Sequence, residues 1–246
     1  MSHPKKKTPF EILALIPARG GSTGVPGKNH KILNGKPLVA YTIEIAKASS
    51  YINRVVVATD DPKIAKVSID FGADVPISRP TRISQKLSRA YDVYHFFLDH
   101  LRKSENYVPD IFVVMVGTSY SRTLKEVDAA IEKLITTNCD WVFTVTEAEH
   151  HPYRMFTLED DKLNPFCKDV SSWNIWGNRQ ELPLTYRING NAFVTWTQNI
   201  TKHKTYNIGQ GFDSDVRYIL CPQSHSMDID TPFDFEIAEY LMKKRR

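Results

Sequence analysis

Residues 11–44 read EILALIPARGGSTGVPGKNHKILNGKPLVAYTIE, and their order decides the fold. Glu11–Ala18 is a short apolar run stopped by turn residues, the mark of a buried strand. A loop follows with Gly20, Gly21, Gly24 and Gly27 flanked by Arg19 and Lys28, and a helix-like segment begins after Lys36. The succession of strand, turn and helix then recurs. Arg54–Thr59 (RVVVAT), Ile111–Val116 (IFVVMV) and Trp141–Thr146 (WVFTVT) are further strand candidates. The stretch DPKIAKVSIDFG predicts a helix capped by Asp61, with Pro62 at its first position and Gly72 just past its end. In RTLKEVDAAIEKLITT, Leu124, Val127, Ile131, Leu134 and Ile135 share one helical face. This alternation predicts an α/β domain over residues 1–246, with a mostly parallel sheet and helices on both faces.

The rhythm breaks at 150–187, which is aromatic, dotted with proline and without clean periodicity, and reads as an excursion rather than another strand–helix unit. Strand-like runs return in NAFVTW, VRYIL and HSMDID. The closing segment TPFDFEIAEYLMKK predicts a helix, with Thr231, Pro232 and Asp234 forming its cap.

Composition narrows the function. Thirty-two Lys and Arg against 28 Asp and Glu give a net charge of +4, which suits an anionic small molecule and is too weak to argue for nucleic acid. The basic runs Lys5–Lys7 and Lys243–Arg246 read as solvated tails. The apolar runs are too short to span a membrane, and the start lacks the pattern of a signal peptide. Cys139, Cys167 and Cys221 are scattered, which predicts neither disulfides nor a metal pair and fits a reducing cytoplasm. His150–His151 reads as a loop pair.

The glycine loop is neither of the common nucleotide fingerprints. Five residues separate Gly21 from Gly27, Lys28 is followed by Asn29, and the glycine offsets do not match GxGxxG. The chemistry remains: glycines let backbone N–H groups approach phosphate oxygens, Arg19 offers a bidentate fork and Lys28 a point charge. The alternative is a structural turn. In the same way Asp228 and Asp230, two apart on a strand, would present both carboxylates to one cation, or would form a solvated pair ahead of the last helix.

The motifs IPARGGSTGVPGKN, GKPLVAYTIE, VVVATDDPKIA, FGADVPISRP, HPYRM, RQELPLTYRINGNAF and SMDIDTPFDFEIAE occur in order from Ile12 to Glu239. Together they resemble the acylneuraminate cytidylyltransferases. The resemblance implies a Rossmann-like nucleotidyltransferase sheet. It also implies a reaction in which the anomeric hydroxyl of an acidic nine-carbon sugar attacks the α-phosphorus of CTP and pyrophosphate leaves. It places Arg19, Gly20, Gly21, Ser22, Lys28, Asn29, Arg79 and Ser88 around CTP, and gives Arg19, Lys28 and Asp230 the catalytic roles. Asp228 and Asp230 would hold Mg²⁺. Residues 150–187 would be a dimerisation segment completing a partner's site in a homodimer, with Arg154, Arg179, Arg187 and Asn189 at the sugar. Neither nucleic acid nor membrane is an expected partner.

Three departures qualify the resemblance. Thr23 stands where the family loop has lysine, Val116 replaces a polar sugar contact, and the segment after Arg79 lacks the usual acidic-Thr pair. Two readings stay open: an active cytidylyltransferase for a nonulosonic acid, or a nucleotide-binding relative acting as a regulatory subunit.

Overall fold

The computed structural model describes residues 8–22, 24–168, 171, 175–201 and 214–244. The basic runs at Lys5–Lys7 and Arg245–Arg246, and Thr23, lie outside them.

Six strands form the central sheet: β1 (Ile12–Pro17), β4 (Arg54–Ala58), β5 (Ile111–Val114), β6 (Trp141–Glu147), β9 (Tyr186–Trp196) and β10 (Val216–Leu220), in the order β10-β6-β9-β5-β1-β4. All neighbouring pairs are parallel except those of β9, which runs antiparallel to both β5 and β6. The strands bury both faces by simple alternation. Ile12, Ala14, Ile16, Val57, Val113 and Val142 point to one core, which also takes residues of helices α1 (Leu38–Ala48), α2 (Pro62–Asp70) and α4 (Leu124–Thr137). Leu13, Leu15, Val56, Phe112 and Phe143 point to the other, with α3 (Ala90–Glu105) and the short α5 (Thr197–Thr201). A third, smaller cluster packs α6 (Pro232–Lys244) against Val25, Leu33 and Leu38.

Local chemistry sets the helix boundaries. Asp61 accepts from the N–H groups of Lys63 and Ile64 at the start of α2, and Gly72 beyond its end has φ +80°. Thr123 and Glu126 form a reciprocal capping box on α4, and Thr231 and Asp234 exchange hydrogen bonds at the start of α6. Between the glycine loop and α1, a tight hairpin joins β2 (Ile32–Leu33) to β3 (Lys36–Pro37) through Asn34-Gly35, both at positive φ.

The excursion departs from the main sheet, but it is more ordered than its sequence pattern indicates. A 3₁₀ turn at Pro152–Arg154 leads into a separate hairpin of β7 (Phe156–Glu159) and β8 (Lys162–Pro165), closed by Asp160 and Asp161 at positive φ. Leu158 and Leu163 pair across this hairpin and are exposed, as are Phe166 and Trp176 beyond it.

One expected strand is absent. HSMDID forms no strand: residues 223–225 make a 3₁₀ turn and 226–230 run as irregular chain. The reason is competition from side chains. Asn191 donates to the carbonyl of His225 at 2.8 Å, and Asn189 donates to the Ser226 hydroxyl at 2.8 Å. Both asparagines flank Gly190, which sits at φ +74° where the pairing of β6 with β9 shifts register. The bulge in β9 thereby aims two amides at the segment carrying the aspartates.

Candidate active site

At the carboxyl ends of β1 and β5 lies a cleft of about 580 Å³. Ligands in open α/β sheets bind at this edge. Its wall contains Arg19, Ser22, Gly24, Lys28, Asn29, Arg79, Lys86, Ser88, Val116, Thr118, Asp228 and Asp230. The glycine loop, the Arg79 segment, the chain after β5 and the acid segment thus meet in one place. They are far apart in sequence.

The loop is braced from several sides. Asn29 is buried, donates to the carbonyl of Arg19 at 3.1 Å and leaves its own buried Oδ1 without a hydrogen-bond partner. Gly20 gives its N–H to Asp60 at 2.9 Å, so that donor braces the turn rather than pointing into the cleft. Gly24 lies so close to the acid segment that a Cβ there would collide with the Asp230 carbonyl oxygen. Lys28 tightens the same junction. Its largely buried Nζ donates to the Ile229 carbonyl at 2.6 Å and to Asp230 Oδ1 at 2.9 Å. An ammonium has three donors, which leaves one for a ligand.

The other expected nucleotide residues are held as firmly. Arg19 donates to the carbonyl of Gln85 at 2.9 Å. Arg79 is buried and its guanidinium clasps the Ile83 carbonyl; burial lowers its pKa, and the charge of Asp60 opposes that shift. Ser88 lines the cleft and bonds the Arg82 carbonyl at 3.4 Å.

Asp228 and Asp230 face the cleft although they are not on a strand. Asp228 Oδ1 accepts from the Ile229 N–H and Asp230 Oδ1 from Lys28. Among the described residues, the second oxygen of each accepts no protein hydrogen bond. No group of three or more His, Cys, Asp or Glu gathers among those residues. Two carboxylates beside a cation-lined cleft are a donor set that a Mg²⁺ completed by phosphate oxygens would use, so the residues present fit that ion.

Behind the cleft is a polar core that sequence reasoning did not find. Buried Arg122 donates to the carbonyls of Ser119, Asn191 and Val116, fixing the chain after β5. Burial pulls its pKa down to about 9, against the raising charges of Asp228 and Glu126, and it stays charged at neutral pH. Glu126, besides capping α4, meets His225 Nδ1 at 2.7 Å. A sequence signal that touches this network is the spacing of Thr123 and Glu126, three residues apart as in a capping box.

The four expected sugar residues divide. Asn189 is buried beside the acid segment through Ser226. Arg187 forks onto Glu149 at 2.9 and 2.8 Å and reaches the Ser226 carbonyl at 3.4 Å. Its hydrogen bonds hold the Glu149 carboxyl down to about 2. Arg154 and Arg179 line a separate small cavity with Glu149, His150 and His151, sharing no wall residue with the cleft at the strand ends.

A mostly parallel sheet with a glycine-rich, cation-lined cleft at its strand ends defines an α/β nucleotidyltransferase fold. Residues 13–153 match the family model described as cytidylyltransferase. The chain is 32% identical to a CMP-N,N'-diacetyllegionaminic acid synthase of Legionella pneumophila, over 95% of this chain and 97% of that one. It is 29% identical to a pseudaminic acid cytidylyltransferase of Campylobacter jejuni, over 94% and 96% of the two chains. Among solved structures, a CMP:2-keto-3-deoxy-manno-octonic acid synthetase complexed with CTP superposes with a TM-score of 0.70 at 16% identity, covering 96% of this chain and 100% of that one, a likeness of fold. The chain belongs to the acylneuraminate cytidylyltransferase family, and it is a nucleotidyltransferase.

Proposed function

We propose that this enzyme transfers CMP from CTP to the anomeric hydroxyl of a nonulosonic acid and releases pyrophosphate. The observation that carries the reading is the cleft in which Arg19, Lys28 and Arg79 face Asp228 and Asp230 at the carboxyl ends of the strands. The named activities of the relatives supply the substrate class. In the transfer, the hydroxyl oxygen bonds the α-phosphorus, the bond to the bridging oxygen breaks, and pyrophosphate departs with that electron pair. Such a displacement needs alignment and charge neutralisation more than covalent help. In this reading Arg19 and Lys28 neutralise the phosphates, and Arg79 serves the cytosine, as the family resemblance implies. The free oxygen of Asp228 or Asp230 accepts the hydroxyl proton. Mg²⁺, held by these two carboxylates, would supply Lewis-acid polarisation of the phosphates and of the attacking hydroxyl.

The partner reading extends from the excursion. Leu158, Leu163, Phe166 and Trp176 form exposed apolar surface on and beside the hairpin, which suits burial against a second copy. Arg154 and Arg179, apart from the cleft of their own chain, would then serve the neighbour's sugar site. No helix among the described residues is long and apolar enough to cross a membrane. The free thiols of Cys139, Cys167 and Cys221 suit the cytoplasm.

The test is pyrophosphate release from CTP, Mg²⁺ and a panel of nonulosonic acids. Wild type should turn over at least one sugar. Asp230→Asn should abolish turnover and keep the fold, and Lys28→Ala should weaken CTP binding by about 1.5–3 kcal/mol. CTP binding without transfer to any sugar would favour the regulatory subunit instead.

A further inference from the structure

We propose that Lys86 is a polyphosphate-contacting residue of this cleft, giving its ammonium to the β- or γ-phosphate of the bound nucleotide. The proposal rests on the cytidylyl-transfer reading. Four cationic side chains line the cleft, and three have donors committed to the protein. Lys28 is tied to Ile229 and Asp230, Arg79 to the Ile83 carbonyl and Arg19 to the Gln85 carbonyl. Lys86 also lines the wall, is exposed, and among the described residues makes no hydrogen bond or ion pair. It is the cation with all its donors available.

The chain around Lys86 is fixed although its side chain is not. The segment from Arg79 to Ser88 is wound on itself: Ser84 bonds the Pro80 carbonyl at 3.0 Å, the Gln85 amide bonds the Thr81 carbonyl at 3.0 Å, and the Ser88 N–H bonds the Gln85 carbonyl at 3.1 Å. That Gln85 carbonyl also receives Arg19, which places the backbone preceding Lys86 against the arginine of the glycine loop. The lysine therefore starts from the loop side of the cleft, where phosphates are expected. A four-carbon stem on a braced backbone carries a point charge that can follow a moving polyphosphate. Neither carboxylate of the cleft pairs with it, and Asp230 is held by Lys28. A base carbonyl or a ribose hydroxyl could accept a hydrogen bond from this ammonium but would not neutralise its charge. A polyphosphate would.

Calorimetric titration of wild type, Lys86→Met and Lys86→Arg with CTP, CMP and inorganic tripolyphosphate, each with Mg²⁺, tests the assignment. Lys86→Met should bind CTP and tripolyphosphate roughly tenfold more weakly and CMP within about twofold of wild type. Lys86→Arg should keep most of the affinity, and kcat/KM for CTP should follow the same order. Melting curves should be unchanged, because the side chain is exposed and bonds nothing in the protein. Wild-type CTP affinity in Lys86→Met, or an equal loss for CTP and CMP, overturns the proposal while leaving the transfer reading intact. A wild type that binds no CTP overturns both.

Discussion

Gly24→Ala tests whether the glycine loop and the acid segment share one site. A Cβ at position 24 would lie within the Asp230 carbonyl oxygen, backbone that no rotamer change can clear. The collision has two ways to relax. If the segments stay packed, overpacking costs about 1–3 kcal/mol, which in a domain of this size lowers Tm by about 2–12 °C. If they part, the Lys28 bonds to Ile229 and Asp230 are stretched with them, and CTP affinity falls instead. Gly21→Ala is the control for stability, because a Cβ there meets nothing within 4 Å and the residue is not at positive φ. Thermal melting of both variants and CTP calorimetry on Gly24→Ala give the answer. Gly24→Ala indistinguishable from wild type in both measurements would refute the packing on which the two-segment site depends.

Val116 lines the cleft where the family resemblance has a polar sugar contact, so N-acetylneuraminic acid should be a poorer substrate than a deoxy or otherwise altered nonulosonate. Val116→Gln should narrow that gap in kcat/KM by about ten- to a hundredfold, and N-acetylneuraminic acid as the best wild-type substrate would make the valine simple packing. Arg187 holds Glu149 at about 2, below its ordinary value of 4.5, so the pair's stabilisation is present above about 4.5 and is lost as pH falls toward about 2. Glu149→Gln should therefore cost less than about 1 kcal/mol at pH 7, the pair being partly exposed, and urea melts of the two proteins should converge through that acid window. Mixing inactive Asp228 and Arg179 variants after dissociation should restore activity in hybrid dimers, and confirmed hybrids without activity would rule out sharing of sites.

The local elements were legible in the sequence because their causes are local. Asp61, Pro62 and Gly72 bound α2 through bonds and dihedrals within a few residues, and the apolar face of α4 is set by the spacing of its own residues. The unbroken apolar runs of β1, β4 and β5 required burial on both faces whatever the strand order. Arg19 and Lys28 could be named from the glycine loop they flank, whereas Arg79 and the pair Asp228 and Asp230 were assigned by the family resemblance. Tertiary structure decided the rest. HSMDID reads as a strand-like run, but Asn189 and Asn191, brought there by a bulge in β9, outcompete strand pairing for its polar groups. The antiparallel course of β9 likewise carries no mark in a single strand's pattern, because its direction is set by the neighbours it meets. Which lysine has donors to spare is also a tertiary property. Lys28 and Lys86 are the same residue type, and only the carbonyl of Ile229 and the carboxylate of Asp230, some 200 positions away, occupy one and leave the other to a ligand.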